Sequence, residues 1–565
     1  MSAPDSQQPI THNSSVNKVA SAPYSIAGFG DTLTHDLARG VPAARSFFPV
    51  GHWNEVVPLI DRLDYPRAAV CQVLEREARK FNAPEAVFNN IRLLGEPHTY
   101  VVATGQQAGF LGGPLYTLHK ALSTLALARE YEKQAGGRLR FVPLFWVASD
   151  DHDLAEIDHA YLLGLDGALT RVHAALTPES AGCSACDARL DSTPAQLDLL
   201  RGQLQSLGFP DAPEKMDEYL SFYREQSLGA AFTGLLYKWL GDLGLIVVQS
   251  SDMRAFSRDL LLRELNDYDV TARLIQESAA SLAQAGYKAG FSGRTHTAPH
   301  FFIASEPSRI RARLEPLSGG DFIERSSAFE ARNQTPRTFT HDELAGLIAD
   351  QPELFSTSAA LRPVLQQRIF PVVAAVLGPG EIAYWAQLRK VHEHFGAVWP
   401  LVVPRATLTL LDPQGEKSRR KLGLAPDSPN LFLDFEALTR KAISGGETGT
   451  KLEAHRTQIM SEFDAMSAQV QAADGGLKPL FDKARERIAH ELQRVAEKTK
   501  ASIDQRDGAG VNRARYLSTL VRPKGEGQER VLCMAQFVAR YPSLAHGLLE
   551  LLDPSAREHW VLTVE

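Results

Sequence analysis

The sequence is poor in cysteine, with only four in 565 residues: Cys71, Cys183, Cys186 and Cys533. So few thiols in so long a chain do not make a disulfide framework, and a reducing compartment such as the cytoplasm is expected. Cys183 and Cys186 form a single CxxC pair without a second pair, so a zinc site is not supported. We interpret these two residues as free thiols.

Long hydrophobic runs are also missing. No segment approaches the roughly 18 consecutive apolar residues that a membrane-spanning helix requires. Residues 1–25 have no apolar stretch of the kind that a signal peptide carries. We therefore expect a soluble protein with no membrane partner.

The chain has no excess of positive charge. Its formal net charge is −7 at pH 7, whereas proteins that bind nucleic acids usually carry a basic surface. No nucleic-acid partner is expected, and a small-molecule substrate fits better. The composition, 44% hydrophobic and 22% charged, is typical of a globular protein.

Strand–helix–strand units recur along the sequence and predict the fold class. Short apolar runs that predict buried strands lie at residues 98–105, 141–149, 243–250, 370–378 and 400–405. Helical patterns follow several of them, and such alternation indicates a parallel sheet. Because continuous apolar strands must be covered on both faces, the prediction is a doubly wound α/β fold.

A different pattern begins near residue 413. Apolar or small residues step by three and four in a heptad rhythm, and they are Ile459, Phe463, Met466, Val470, Ala473, Leu477, Leu480 and Ala484. Asp474, Gly475 and Gly476 interrupt the rhythm, which predicts a long helical hairpin that turns at the glycines. Two interpretations stay open: an interface between two subunits, which the length favours, or ordinary packing on the sheet domain.

These patterns divide the chain into eight segments. They are a flexible N-terminus (1–29), a first half of the core (30–164), a helical insertion (165–242), a core strand and helix (243–289), a small β insertion (290–345), a second half of the core (346–412), a helical hairpin domain (413–525) and a C-terminal segment packing back on the core (526–565).

A glycine-rich turn at residues 104–114 follows the first predicted strand. Ligands of open α/β sheets bind beyond the carboxyl ends of the strands, and glycines let the backbone approach a ligand closely. The predicted binding residues are Thr104, Gly105, Gln106, Gln107, Gly109, Gly112, Gly113 and Tyr116. The helix start is expected to receive a phosphate or carboxylate, with Lys120 countering its charge. The alternative is a tight turn with a solvent-facing lysine.

An acidic cluster follows the second predicted strand. Asp151, His152 and Asp153 are candidates for catalysis, with Asp150 and His159 as candidates for binding. Such a group can bind Mg²⁺, hold an ammonium or transfer a proton. The alternative is a solvated acidic loop, which the density of charge at a strand end makes less favourable. Trp146, near the end of the same strand, is predicted to wall the pocket.

A second turn into a helix follows the strand at 370–378. Its predicted binding residues are Gly378, Gly380, Glu381, Tyr384 and Trp385, and Arg405 follows the last strand. We expect this turn to be a second helix start that receives an anion, and the Arg405 guanidinium to grip a carboxylate. A plain Gly-Pro turn with core aromatic residues is the alternative. The common GxGxxG, Walker A, GxSxG and HExxH motifs do not identify the ligand, because none is present.

Several long motifs occur in the same order as in one known family. They are TGQQAGFLGGPLYTLHKA, FWVASDDHDLAEIDHAYL, GPGEIAYWAQLRKVHEHFG and LVRPKGEGQERVL. In these segments, and over nearly the whole chain, the sequence resembles the cysteine-adding enzymes of bacillithiol biosynthesis, the BshC family of cysteine ligases. Ala108, Asp150 and Asp158 stand where this resemblance leads us to expect proline, glutamate and asparagine.

The resemblance implies a Rossmann-like core with connecting insertions and a coiled-coil domain that makes a homodimer. It also implies a ligase that joins the carboxyl of cysteine to the amine of glucosaminyl-malate in the last step of bacillithiol synthesis. ATP or another adenine nucleotide is expected to take part, and Mg²⁺ is a possible companion. Two alternatives stay open: an adenylate-forming enzyme for another amino acid and acceptor, and a dimeric nucleotide-binding scaffold.

Overall fold

The computed structural model describes residues 15–24, 30–205, 212–291, 298–442 and 445–565. The chain forms two compact units. The first comprises Met1–Gly164, Leu169–Leu410 and Glu526–Glu565, and the second comprises Leu165–Ala168 and Leu411–Gly525.

The first unit is built on a five-stranded parallel sheet. We label its strands β1 to β5 in chain order: Thr99–Gln106, Arg140–Val147, Ile246–Gln249, Val372–Leu377 and Leu401–Pro404. The order across the sheet is β3-β2-β1-β4-β5, and every neighbouring pair is parallel. The predicted doubly wound sheet is therefore confirmed. The strand order reverses between β1 and β4, and in such sheets this switch point is where ligands bind.

Helices cover both faces of this sheet, which is why its strands are apolar throughout. Every residue of β4 is buried, as are the first six residues of β1. Three helices used below are labelled α1 (Tyr116–Gln134), α2 (Arg362–Ile369) and α3 (Pro379–Trp385). The N-terminal helices are Thr32–Arg39, Pro42–Arg45, Trp53–Ile60, Arg67–Lys80 and Glu85–Gly95.

The predicted flexible N-terminus is wrong for part of its length. Residues 1–14 and 25–29 lie outside the described residues, but Val16–Ala22 forms a strand. It pairs antiparallel with His559–Val564, which also neighbours Thr407–Leu411 in a three-stranded sheet. Long-range backbone pairing fixes this strand, and a local polar sequence does not reveal such a partner.

The helical insertion at 165–242 begins differently from its prediction. A hairpin of two antiparallel strands, His159–Leu163 and Leu169–His173, crosses its predicted start. Helices follow at Pro194–Gln205, Ala212–Ser221 and Leu228–Leu240. The prediction of a mostly helical insertion is therefore wrong at its start, because strands of five residues are too short for their alternation of apolar and polar residues to be recognised.

The predicted β insertion is an antiparallel sheet, and it extends further than expected. Its strands are Phe301–Ser305, Ile310–Pro316, Phe322–Arg325, Thr338–Phe339 and Phe355–Thr357. Leu261 and Leu265 of the helix Arg258–Gln284 pack into the core of this sheet. The predicted boundary at residue 345 is wrong, because the strand Phe355–Thr357 pairs with Phe301–Ser305. Residues 292–297 of the predicted insertion lie outside the described residues.

The first unit is completed by short helices and a C-terminal segment. The helices are Leu154–Ile157, Ala328–Ala331, His341–Asp350, Arg389–His394, Gln528–Val531, Met534–Arg540 and Leu544–Leu551. Among the residues described, no helix combines the length and hydropathy that crossing a membrane would require.

The second unit is helical, with Pro413–Lys421, Phe435–Ala442, Gly445–Ala473 and Lys478–Val521. Its two longest helices form the predicted hairpin, and a short 3₁₀ turn at Gly475–Leu477 joins them. The rings of Phe463 and Phe481 lie 5.9 Å apart across the hairpin, and Arg485 pairs with Asp464 at 2.7 Å. The helical hairpin is confirmed, and residues 443–444 before it lie outside the description.

Candidate active site

A polar cavity of about 330 Å³ opens at the carboxyl ends of β1 and β4, where the strand order reverses. We call it the switch-point cavity. The structure brings together in its lining 14 of the predicted site residues: Thr104, Gly105, Gln106, Gln107, Tyr116, Lys120, Trp146, Asp151, Gly378, Gly380, Glu381, Tyr384, Trp385 and Arg405. Reasoning from strand ends thus located the cavity, although it gave several of these residues the wrong surroundings.

Lys120 of α1 is a buried lysine whose charge is compensated within the protein. Its Nζ lies 2.5 Å from a carboxylate oxygen of Glu381 and donates to the Gly105 carbonyl oxygen at 2.8 Å and to Gln106 Oε1 at 2.9 Å. Burial lowers the pKa of Lys120, and the Glu381 carboxylate opposes that shift. Lys120 is therefore already paired, which was not expected from a residue predicted to counter phosphate charge.

The Glu381 side chain caps the start of α3. The Gly378 backbone N–H donates to Glu381 Oε2 at 2.8 Å, in a capping arrangement within the first turn of the helix. The chain itself thus supplies a carboxylate to the Gly378 N–H at the helix start that we expected to receive an anion. Glu381 consequently joins the helix start to Lys120.

The glycines at the end of the 104–114 turn contact protein rather than the cavity. Gly113 accepts a hydrogen bond from the Met534 backbone N–H at 2.9 Å, and the Leu115 N–H donates to the Leu532 carbonyl oxygen at 2.8 Å. A Cβ atom on Gly112 would lie 2.6 Å from the Trp239 ring. Gly109, Gly112 and Gly113 do not line the cavity, and the C-terminal segment covers the start of α1.

Gly112→Ala is expected to destabilise the first unit markedly. Gly112 has φ +83°, and its added methyl group would overlap the Trp239 ring. Overpacking of this kind costs about 1–3 kcal/mol beyond the backbone strain. The control is Gly136→Ala, which has φ +61° but open space around it, and which carries about 1 kcal/mol of strain alone. Urea unfolding curves measure both, and equal losses would show that Gly112 is not needed for close packing.

Asp151 is a cavity carboxylate that hydrogen bonds hold in place. Gln107 Nε2 donates to its Oδ2 at 2.9 Å and also to Glu156 at 2.8 Å, while the Asp153 backbone N–H donates to its Oδ1 at 3.1 Å. Burial alone would raise the pKa of Asp151, but these hydrogen bonds and the charges of Arg311 and Arg362 outweigh it and lower the pKa. Asp151 is therefore ionised at neutral pH.

The neighbouring residues of the acidic cluster do not line the cavity. Asp150 is buried in an ion pair with Arg254, with 2.6 Å between Arg254 Nη2 and Asp150 Oδ1. Arg311 Nη1 lies 3.0 Å from His152 Nδ1. Because a guanidinium can only donate, this nitrogen accepts and the proton of the neutral ring sits on Nε2. Burial and Arg311 lower the pKa of His152, so the ring is neutral.

Asp153 and His159 also lie outside the cavity lining. Asp153 is exposed and contributes its backbone N–H to Asp151. His159 Nδ1 lies 3.0 Å from Asp158, which also contacts His173 at 3.1 Å on the neighbouring strand. The sequence cluster thus separates into one cavity carboxylate, one structural ion pair and a surface group, because the chain turns after β2.

Aromatic side chains form the remaining walls of the cavity. Trp146 is 2% exposed, and its ring meets Phe370 edge to face at 6.4 Å. Burial raises the pKa of Tyr116 to about 12, and it also raises the pKa of Tyr384. Both phenols are therefore neutral and provide polar contacts without charge.

Arg405 belongs to a buried charge network that reaches the C-terminal segment. Its guanidinium binds Glu529 through two hydrogen bonds of 2.8 and 2.6 Å, and His119 Nδ1 lies 2.9 Å from the same carboxylate. All three residues are less than 5% exposed. The sequence reasoning missed Glu529, although it lies in the motif LVRPKGEGQERVL that the chain shares with the resembled family.

Arg362 and Arg530 line the cavity and were not predicted. Arg362 is the first residue of α2, which precedes β4, whereas the sequence reasoning considered only residues that follow strands. Arg530 lies in the short helix Gln528–Val531 and pairs with Glu526 at 2.7 Å. Arg362 carries no local motif that would have revealed it, whereas Arg530 lies beside Glu529 in the motif LVRPKGEGQERVL.

Among the described residues, the cavity lining offers neither a metal-binding cluster nor a set of free donors for a chain of phosphates. No group of three or more histidine, cysteine, aspartate or glutamate side chains able to hold a metal ion occurs among them. Lys120 and Arg405 are paired with carboxylates, and Glu381 occupies the start of α3. These residues do not fit a nucleotide phosphate chain, so no chemical step is assigned to one here.

The fold and the switch-point cavity together define a structural class of protein. A doubly wound parallel sheet with a polar switch-point cavity, followed by a helical hairpin, is the architecture of a Rossmann-like enzyme with a coiled-coil domain. The chain belongs to the BshC family of bacillithiol biosynthesis. The model of the family's N-terminal Rossmann-like domain matches residues 27–406, and that of its C-terminal coiled-coil domain matches residues 408–564.

Curated relatives support the same assignment. A protein of Bacillus cytotoxicus named "Putative cysteine ligase BshC" is 28% identical over 478 residues, covering 82% of this chain and 84% of the relative. A protein of the same name from Bacillus cereus (strain ZK / E33L) is 27% identical over 496 residues, covering 86% and 88%. The predicted family is confirmed, and with it a ligase of bacillithiol biosynthesis.

Proposed function

We propose that this enzyme forms an amide bond between the carboxyl group of cysteine and the amine of glucosaminyl-malate, in the last step of bacillithiol synthesis in the cytoplasm. The observation that carries the proposal is the Asp151 carboxylate in the switch-point cavity. Hydrogen bonds from Gln107 and Asp153 fix it, and among the described residues no cation lies within ion-pair distance of it. A fixed, unpaired carboxylate suits the ammonium of an amino sugar.

Asp151 is assigned the task of binding and orienting that ammonium. A general base for this reaction needs a pKa near neutrality, whereas the pKa of Asp151 is lowered below its usual value. The carboxylate therefore draws in the charged amine and positions its nitrogen. After the ammonium loses a proton to water, the nitrogen attacks the activated carboxyl carbon of cysteine and displaces its leaving group. Gln107 sets the direction of the carboxylate, because its amide bridges Asp151 and Glu156.

His152 cannot take the proton of the amine in its present arrangement. Its Nδ1 accepts from Arg311 and its Nε2 carries the proton. Asp153 contributes its backbone N–H to Asp151, and neither side chain lines the switch-point cavity. His152 and Asp153 were predicted to hold the amine or a metal or to transfer a proton. We propose instead that Asp153 supports Asp151 through its backbone N–H.

A carboxyl group must be activated before an amine displaces its oxygen, and we propose ATP or another adenine nucleotide as the source of that activation. Mg²⁺ would accompany the phosphates. The proposal for the nucleotide rests on the ligase names of the relatives and not on the lining of the switch-point cavity.

The direct test is product formation by the purified chain with cysteine, glucosaminyl-malate, ATP and Mg²⁺, followed by mass spectrometry. We expect bacillithiol only when all components are present, and no product when another amino acid replaces cysteine. Product with another amino acid, or none with varied metals and nucleotides, would refute the assignment.

We also propose that the hairpin of the second unit joins two copies of the chain. Large apolar side chains remain exposed along it, with Ile459 46%, Met466 47%, Leu480 63% and Val495 50% exposed. An apolar stripe on a long helical hairpin is typical of a coiled-coil interface.

Leu480→Glu is expected to convert the dimer to a monomer, because a carboxylate at the interface loses its solvation without a partner. Sedimentation equilibrium of the full chain measures the change in mass. The control is Lys483→Glu, at an exposed polar position on the same helix. A wild-type chain that is monomeric at micromolar concentration would refute the proposed dimer.

A further inference from the structure

The cations of the switch-point cavity differ in their partners. Three of them pair with carboxylates of the chain: Lys120 with Glu381, Arg405 with Glu529, and Arg530 with Glu526. Arg362 is the exception, because none of the carboxylates in the described ranges lies within ion-pair distance of its guanidinium. Its guanidinium contacts a neutral side chain instead, since Arg362 Nη2 donates to the Tyr384 hydroxyl oxygen at 3.1 Å.

Tyr384 orients Arg362 without neutralising it. The Tyr384 ring packs against Phe291 with 5.1 Å between centroids, and burial raises the pKa of its hydroxyl, which stays protonated. The guanidinium therefore has a fixed direction and keeps donors for a ligand. A guanidinium with free donors matches the two oxygens of a carboxylate.

The nearby carboxylates act on Arg362 only from a distance. Burial opposes its charge, but Tyr384, Glu381 and Asp151 together raise the pKa of Arg362. Glu381 is bound to Lys120 and to the Gly378 N–H, and Asp151 is bound by Gln107. One cavity thus presents two groups of opposite charge, Asp151 and Arg362, neither of which has an ion-pair partner among the described residues.

We infer that Arg362 binds a carboxylate of the malate portion of the amine substrate and makes the enzyme selective for an acidic amino sugar. This inference rests on the proposed function, since glucosaminyl-malate carries the ammonium for Asp151 and the carboxylates for Arg362. A single uncompensated guanidinium fits one carboxylate, whereas a phosphate chain requires several donors. The cysteine carboxyl is the reacting group and has to stay accessible for activation.

The test compares two amine substrates in wild type, Arg362→Gln and Arg362→Lys. One substrate is glucosaminyl-malate, and the other is methyl glucosaminide, which has the amine without the malate. In Arg362→Gln we expect the KM for glucosaminyl-malate to rise roughly 10- to 100-fold, as the loss of a charge-assisted hydrogen bond implies. The KM values for methyl glucosaminide and for cysteine stay unchanged. The KM of Arg362→Lys for glucosaminyl-malate lies between the values of wild type and Arg362→Gln. Equal losses for both amines, or a selective rise in the KM for cysteine, would overturn the inference.

A matched control lies on the same helix. Arg368 is an exposed arginine of α2 that donates to the Phe395 carbonyl oxygen and does not line the cavity. Arg368→Gln makes the same change in charge and leaves the KM for glucosaminyl-malate within about twofold. If Arg362→Gln does not fold, Arg362→Lys and Tyr384→Phe carry the comparison, because both keep most of the local packing.

Calorimetry with malate alone separates this inference from the proposed reaction, since it needs neither cysteine nor nucleotide. Wild type and Arg368→Gln are expected to bind malate, and Arg362→Gln is expected to lose that binding. If the ligase assay fails while malate binding depends on Arg362, the inference survives and the proposed reaction does not. Malate binding of equal strength in wild type and Arg362→Gln overturns the inference.

Discussion

Replacing Asp151 by asparagine is expected to lower kcat/KM for glucosaminyl-malate by roughly 100-fold, about 2.7 kcal/mol of transition-state stabilisation. Asparagine keeps the size of the side chain but removes the charge that binds the ammonium. Gln107 and the Asp153 N–H donate to different oxygens of Asp151, so the single amide oxygen of asparagine keeps one of these two hydrogen bonds. Steady-state kinetics with the amine substrate varied gives the value, and thermal unfolding shows that the fold is kept.

Glu156→Gln provides the comparison for Asp151→Asn. Glu156 accepts from the same Gln107 amide at 2.8 Å but does not line the cavity. We expect it to lower kcat/KM less than about fivefold, since only the orientation of Gln107 changes. Similar losses in the two variants would argue against an ammonium site at Asp151. Full complementation by Asp151→Asn in cells would instead favour the non-catalytic scaffold.

Glu529→Gln is expected to destabilise the first unit by about 3–5 kcal/mol. The change removes the charge opposite Arg405 and leaves a buried guanidinium uncompensated, which is the costly way to break a buried pair. Glu529 is 4% exposed and Arg405 is 2% exposed. Urea unfolding followed by tryptophan fluorescence measures the free energy of unfolding.

The effect of Glu529→Gln is expected to depend on pH. Burial by itself would raise the pKa of Glu529, but Arg405 and His119 outweigh burial and hold that pKa far below its usual range. A depressed pKa stabilises the folded state above the usual glutamate value of about 4.3, and this contribution decreases as the pH falls below it. The difference between wild type and Glu529→Gln therefore narrows below about pH 4.

Glu526→Gln is the control for Glu529→Gln. It makes the same change in the same segment, but Glu526 pairs with Arg530 where both side chains are more than half exposed. An exposed ion pair contributes at most about 1 kcal/mol, so we expect a small loss at pH 7. A loss from Glu529→Gln no larger than this would mean that the buried network is not a structural element.

The parallel sheet could be predicted because its signal is local. Each strand is a continuous apolar run, and helices on both faces require that composition. Two other strands could not be predicted, because each pairs with a strand far along the chain. They are Val16–Ala22 and Phe355–Thr357. The hairpin of the second unit was predictable since its heptads and glycine turn lie in one stretch of sequence.

The position of the cavity could also be predicted, but the state of its charges could not. Gln107 and Lys120 follow β1, Glu381 follows β4, and Asp151 follows β2, the neighbour of β1. Whether Lys120 is free or paired depends on Glu381, about 260 positions away in the chain, and the pairing of Arg405 depends on Glu529. Arg362 escaped prediction because it begins the helix that precedes β4, and we considered only residues that follow strands.

The central claim is that the switch-point cavity binds an amine through Asp151 for attack on an activated cysteine carboxyl. The most direct measurement is a single-turnover reaction of wild type and Asp151→Asn with cysteine, ATP and Mg²⁺, in which bacillithiol is followed against the concentration of glucosaminyl-malate. We predict that wild type forms bacillithiol and that Asp151→Asn needs far more glucosaminyl-malate to reach the same rate. Identical dependence on glucosaminyl-malate in the two proteins would contradict the claim.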